Sequence, residues 1–120
     1  MDSKSQIIKK YFKLSDLASN NEQALYEIIQ LFSNKSLVKG ANGFTVDNPT
    51  KVAEFFENFF KDNRELRHLF RVVVNNGKYQ AEWAVAGRKR SGKIFAFHGF
   101  DIYAFDQQNK ISFLQAEIGK

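Results

Sequence analysis

Asp101 is the residue in this chain whose surroundings most invite chemistry. It lies in a run of alternating character from Phe95 to Phe105, and Phe97, Gly99 and Tyr103 share its side of an extended strand. A carboxylate so placed must be paired, hydrated, or kept protonated by desolvation. In an aromatic cavity a raised pKa would make it an acid or a hydrogen-bond donor. The alternative is a structural carboxylate bonded to Tyr79 or to a helix residue. His68 falls on the same side of a neighbouring strand as Trp83 and would be the only base at hand. It has no acidic neighbour in sequence, so a structural histidine is the competing reading. Tyr11, on the first helix, could reach the same space or simply fill the core. His98 alternates onto the opposite face.

Other chemistries are excluded. The chain has no cysteine, which removes disulfides, thiol nucleophiles and thiolate metal sites together. Two distant histidines without acidic spacing give no metal centre. No serine sits in a G-x-S-x-G turn, and Gly87 to Gly92 lacks Walker spacing. No cofactor or metal is expected.

The elements that must position these residues are legible from periodicity. A chain of 120 residues, 43% hydrophobic and 26% charged, is one soluble domain spanning 1–120. Phenylalanine occurs 13 times, which suggests an aromatic core. Ile7, Ile8, Tyr11, Phe12, Leu14 and Ala18 recur at helical spacing. Asn20 and Asn21 are N-caps for a second helix burying Leu25, Ile28, Ile29 and Phe32. From Ser33 to Asp47 the pattern is lost and glycines mark turns. Asn48-Pro49 then opens a third helix with Val52, Phe55, Phe56, Phe59 and Phe60 on its apolar face, ending near Asp62. Four antiparallel strands follow. Asn76-Gly77 is a two-residue hairpin turn, which pairs Phe70 with Trp83 and Arg71 with Glu82. The later turns are expected to pair Gly87 with Lys93, Trp83 with Phe97, Tyr79 with Asp101, Asp101 with Leu114, and His98 with Glu117. The class is α+β, helices packed on one face of a curved antiparallel sheet.

The outer face of that sheet carries Arg71, Glu82, His98 and Glu117 as a row among Ile94, Ala96, Phe100, Ile102 and Phe113. It is too apolar to be wholly solvated, and a twofold homodimer through this face is the expectation. A weak surface ladder is the alternative. The formal charge of +5 is scattered. Arg88, Lys89 and Arg90 read as a solvated loop tip, so nucleic acid is not the expected partner. The first ten residues lack a secretory signal, and no apolar run is long enough to span a membrane. The expected compartment is the cytoplasm.

Leu31-Phe32 at the end of the second helix, Asn48-Pro49, Trp83, and Gly99-Phe100-Asp101-Ile102-Tyr103-Ala104-Phe105 before Asn109-Lys110-Ile111 together resemble the SnoaL-like group of the nuclear-transport-factor-two-like superfamily. The resemblance covers nearly the whole chain and implies a cone-shaped α+β fold shared with ketosteroid isomerase, scytalone dehydratase and limonene epoxide hydrolase. Asp101 matches the isomerase acid that stays protonated to stabilise an enolate oxygen, and Tyr11 is a looser match to its helix tyrosine. The isomerase base has no counterpart: Lys39-Gly40 stand where it would fall. The last-strand aspartate of polyketide cyclases meets Leu114, Gln115 and Ala116 here, and the epoxide-hydrolase set of Asp-Arg-Asp is incomplete. The resemblance therefore implies a pocket for a small apolar or aromatic ligand. Phe70, Trp83, Phe97, Leu114 and Ala116 would line it, and Asp101, His68, Tyr11 and Tyr79 would be its polar groups. An isomerase, dehydratase or cyclase is one expectation. A non-catalytic binding or interaction module of the same fold is the other.

Overall fold

The computed structural model describes residues 2–119. Asp2 caps the first helix, α1 (Ser3–Ala18), by accepting from the Ser5 amide at 2.7 Å. Asn21 does the same for α2 (Glu22–Gln30), and Asn48 for α3 (Pro49–Asp62). Each side-chain oxygen satisfies an amide that the helix itself cannot. Of the two candidate caps, Asn21 is the one used, while Asn20 reaches across to the Arg64 carbonyl. Ile8, Phe12 and Ala18 of α1, Ala24 and Ile28 of α2, and Val52, Phe56 and Phe60 of α3 are buried against the sheet and one another.

The stretch between α2 and α3 is not irregular. It forms β1 (Phe32–Lys39) and β2 (Thr45–Val46), so Phe32 opens a strand rather than closing a helix. The remaining strands are β3 (Asn63–Asn75), β4 (Lys78–Lys89), β5 (Ile94–Phe105) and β6 (Ile111–Ile118). The sheet has six strands in the order β2-β1-β6-β5-β4-β3. It is mixed, because β1 runs parallel to β6. β1 alternates poorly: Ser33, Asn34, Lys35 and Ser36 precede Leu37 and Val38, and its register with β6 shifts between Phe32 and Leu37. That irregularity hides the strand from a period-two reading.

The Asn76-Gly77 hairpin has the expected register, with Phe70 opposite Trp83 and Arg71 opposite Glu82. The next two turns differ from expectation. Gly92 adopts φ 95°, and its amide closes a three-residue turn onto the Lys89 carbonyl, so Lys89 meets Lys93. Gly87 then faces Phe95, Trp83 faces Gly99, and Tyr79 faces Tyr103. Asn109 (φ 61°) closes a similar turn onto Asp106, and a bulge follows between Ala104 and Phe105. Asp101 therefore sits between Ala81 and Ala116. His98 pairs with Ala84 rather than Glu117, which lies opposite Phe100. Each displacement amounts to two residues, and an even slip leaves every side chain on its face. The two faces are thus as expected although these partners are not.

Candidate functional site

The helices and the concave side of the sheet enclose a cavity of about 420 Å3. Its wall includes Tyr11, Phe12 and Ser15 from α1, Phe55, Phe56 and Phe59 from α3, and His68 from β3. Trp83, Val85, Phe95, Phe97, Leu114 and Ala116 come from β4, β5 and β6. The exposure of Phe59, Phe97 and Ile118 marks the open side. Of the residues expected there, Tyr11, His68, Trp83, Phe97, Leu114 and Ala116 are wall residues. Phe70, Tyr79 and Asp101 are not. Phe70 is covered by Phe12, whose ring stacks on it at 4.8 Å, and Tyr79 packs edge-on to Phe105 at 5.6 Å.

Asp101 lies behind Trp83. Its Oδ1 accepts from the Trp83 indole at 2.9 Å and its Oδ2 from the Tyr103 hydroxyl at 2.7 Å. Tyr79 is not a partner. Burial raises the Asp101 pKa to about 6, with both hydrogen bonds opposing the shift. Burial also raises Tyr103 and Tyr11, and the nearby Asp101 charge adds to both. The carboxylate thus fixes the orientation of the one tryptophan in the wall.

His68 does have an acidic partner, on another element. Asp16, in the last turn of α1, accepts from the His68 backbone amide at 3.0 Å and bonds Nδ1 of its ring at 2.7 Å. β3 is the sheet edge, so this carboxylate occupies an otherwise open strand amide. With Asp16 as acceptor, the neutral ring carries its proton on Nδ1. Burial lowers the His68 pKa, and Asp16 works against that shift. Nε2 of His68 and the Tyr11 hydroxyl have no protein partner among the described residues. Nor are they sealed: the enclosed, unpartnered side-chain atoms belong to Ser19, Ser36 and Asn63. Both residues contact the side of Phe12, with ring centroids 5.3 Å (Tyr11) and 5.4 Å (His68) from it.

Asp16 escaped the reading of the sequence because it lies 52 positions from His68. One local signal was present. An acid in the last turn of a helix opposes the helix dipole and needs a compensating partner.

The basic tip is not a free cationic patch. Arg88 bonds Glu65, Lys89 bonds Asp62, and Arg90 donates to the carbonyls of Lys61 and Ser19 at the ends of α3 and α1. On the outer face Glu82 accepts from Arg71 at 2.9 Å and meets His98 at 2.8 Å. The His98 bond, then Arg71, lowers the Glu82 pKa. A second hollow of about 630 Å3 lies between α2, β1, the start of α3 and the β5–β6 turn. It contains none of the residues expected to do chemistry. Among the described residues no cluster of His, Cys, Asp or Glu could hold a metal, and no helix is long and apolar enough to cross a membrane.

No family model and no curated protein matches the chain. Solved structures do. An NTF2-like protein of unknown function from an Exiguobacterium species is 25% identical, with a TM-score of 0.86 over 95% of this chain and 98% of that one. A candidate polyketide cyclase from Pseudomonas putida is 14% identical, with a TM-score of 0.83 over 99% and 93%. An epoxide hydrolase/cyclase-like enzyme of pyran ring formation in the polyether salinomycin is 12% identical, with a TM-score of 0.79 over 97% and 90%. The fold is that of NTF2-like proteins.

Proposed function

We propose that this domain binds a small apolar or aromatic molecule in the cavity between its helices and its sheet. The observation that carries the reading is the cavity itself. About 420 Å3 is walled mainly by aromatic and aliphatic side chains, and its unpartnered polar groups include Tyr11, His68 and the buried Asn63 Oδ1. Few polar groups in an apolar hollow is the usual composition of a small-molecule site. Fold neighbours that include a candidate cyclase and a cyclase-like enzyme support isomerase, dehydratase or cyclase chemistry as the class. In such chemistry His68 would accept a proton and Tyr11 would donate to a developing oxyanion. Asp101, held behind Trp83, would act by positioning that indole. The test is to fill the cavity. Ala116→Phe places a ring in the wall, and it should abolish the quenching of Trp83 fluorescence that naphthalene produces in the unmodified protein. Unchanged quenching in the variant would refute the site.

A second reading, a homodimeric interaction module, rests on a separate observation. Leu69 (79%), Ile94 (66%) and Phe100 (41%) are exposed on the outer face of the sheet. A row in register there runs from Arg71 through Glu82 and Phe100 to Glu117. It is cationic at one end and acidic at the other. A twofold copy laid across it brings Arg71 to the partner's acidic end while covering the apolar side chains. The two readings are compatible, since they use opposite faces.

A further inference from the structure

We propose that the cavity selects an uncharged aromatic ligand bearing an acidic hydroxyl, and that this hydroxyl donates to Nε2 of His68 on a ring positioned by Asp16. The inference rests on the reading that the cavity is the ligand site, and it names what that ligand must carry.

Asp16 holds His68 at two points. One carboxylate bonds both the backbone amide and the ring nitrogen of the same histidine. It fixes strand and imidazole together, so the ring has one orientation and one tautomer. The 2.7 Å contact is short, as charge-assisted bonds are. Phe12 lies tilted against the imidazole and limits its rotation. The nitrogen left over is a lone-pair acceptor, and the acid on the far side of the ring works against the loss of basicity that burial imposes.

An acceptor in an apolar wall favours a donor and penalises an occupant without one, since the nitrogen would lose its water unpaired. The charges around it disfavour an anion. Lys39 and Lys89 border the cavity, but Lys89 is paired with Asp62 and the Lys39 ammonium sits over Phe113, 5.9 Å from its ring centre. The groups against His68 are Asp16 and Phe12 from α1 and Val85 from β4, and Asp16 is the titratable one; Tyr11 lies on another side of Phe12 in the same wall. An anion bound at Nε2 would thus meet the Asp16 charge with no cation in contact with the ring. Phe55, Phe56, Phe59, Trp83, Phe95 and Phe97 supply rings to the wall, which suit a flat aromatic body.

If the hydroxyl is acidic enough, its proton passes to Nε2. The O–H bond breaks with its electron pair left on the ligand oxygen, and an N–H bond forms on the imidazole. The resulting imidazolium keeps its other N–H on Asp16. Tyr11 can donate to the new oxyanion. No atom or electron enters or leaves, and the step reverses on release.

The test compares naphthol, naphthalene and naphthoate at neutral pH, read by Trp83 fluorescence. The expected order is naphthol tighter than naphthalene by about tenfold or more, the effect of one hydrogen bond made or left unmade, with naphthoate weakest. Asp16→Asn keeps an acceptor for the His68 amide but loses the charge and the tautomer. It should bring naphthol down to naphthalene while naphthalene affinity stays the same. A measurement on the unmodified protein does not depend on how the variant folds. The 15N resonance of His68 Nε2 should move on binding naphthol and not naphthalene. Equal affinity of the two neutral compounds with an unmoved Nε2 resonance, or a preference for naphthoate, would overturn this inference and leave the cavity reading standing. Binding of none of the three would refute the cavity reading together with it.

Discussion

Replacing Gly99 with alanine tests how the wall of the cavity is held. Gly99 faces Trp83 across the β4–β5 ladder. A Cβ built there would lie 2.3 Å from the Glu117 carbonyl oxygen and 2.5 and 2.8 Å from two carbons of the Trp83 ring. The carbonyl belongs to β6 and cannot retreat without opening the ladder in which Gly99 faces Ile118. The indole cannot swing away without releasing its bond to Asp101. Overpacking of this kind costs about 1–3 kcal/mol. A buried carboxylate stripped of one donor adds about 1–3 kcal/mol. The expected loss is therefore about 2–6 kcal/mol. At about 4 °C per kcal/mol for a domain of this length, the midpoint falls by roughly 8–24 °C. Urea denaturation followed by circular dichroism gives the free energy, and the emission of Trp83, the only tryptophan, reports whether the indole has moved. A loss below about 0.5 kcal/mol with unchanged emission would refute the reasoning, because it would mean the backbone has room that the contact distances deny.

Two further outcomes follow from the same structure. The Asp101 pKa is raised from 3.8 to about 6, so between those values the folded state binds the proton more tightly than the unfolded chain, and its stabilising effect is lost as pH rises. The difference in urea stability between Asp101→Asn and the unmodified protein should grow by at most about 3 kcal/mol from pH 4 to pH 7; a constant difference would contradict the burial argument. His68, with a lowered pKa, acts oppositely and costs stability as pH falls below its ordinary 6.5, which comparison with the Asn variant cancels. Sedimentation at micromolar concentration should give a dimer that Ile94→Asp with Phe100→Asp converts to a monomer; a monomeric unmodified chain would remove the interaction reading.

The fold was readable where one physical signal dominated. Asn48-Pro49 marks a helix start because both the cap and the proline suit that position, and Asn76-Gly77 pins a register because its turn needs positive φ. β1 was not readable: Ser33 to Ser36 are polar, and the strand is specified by its parallel pairing with β6, a contact remote in sequence. Face assignment survived two turn errors because period two forgives an even slip, whereas cross-strand partners depend on the turn itself. The same distinction governs the site. Trp83, Phe97, Leu114 and Ala116 are wall residues by strand alternation alone. Asp101 shares their face but not the cavity, since alternation gives a direction and not whether a larger neighbour stands in front. Asp16 needed the three-dimensional packing of α1 against the β3 edge.

If the hollow between helices and sheet is where a ligand sits, intermolecular nuclear Overhauser effects from bound naphthalene will reach methyl groups of its wall. The expected contacts are to Val85, Leu114 and Ala116. Contacts confined to Leu69, Ile94 and Ile102 on the convex face, or none to any methyl in the cavity wall, would contradict it.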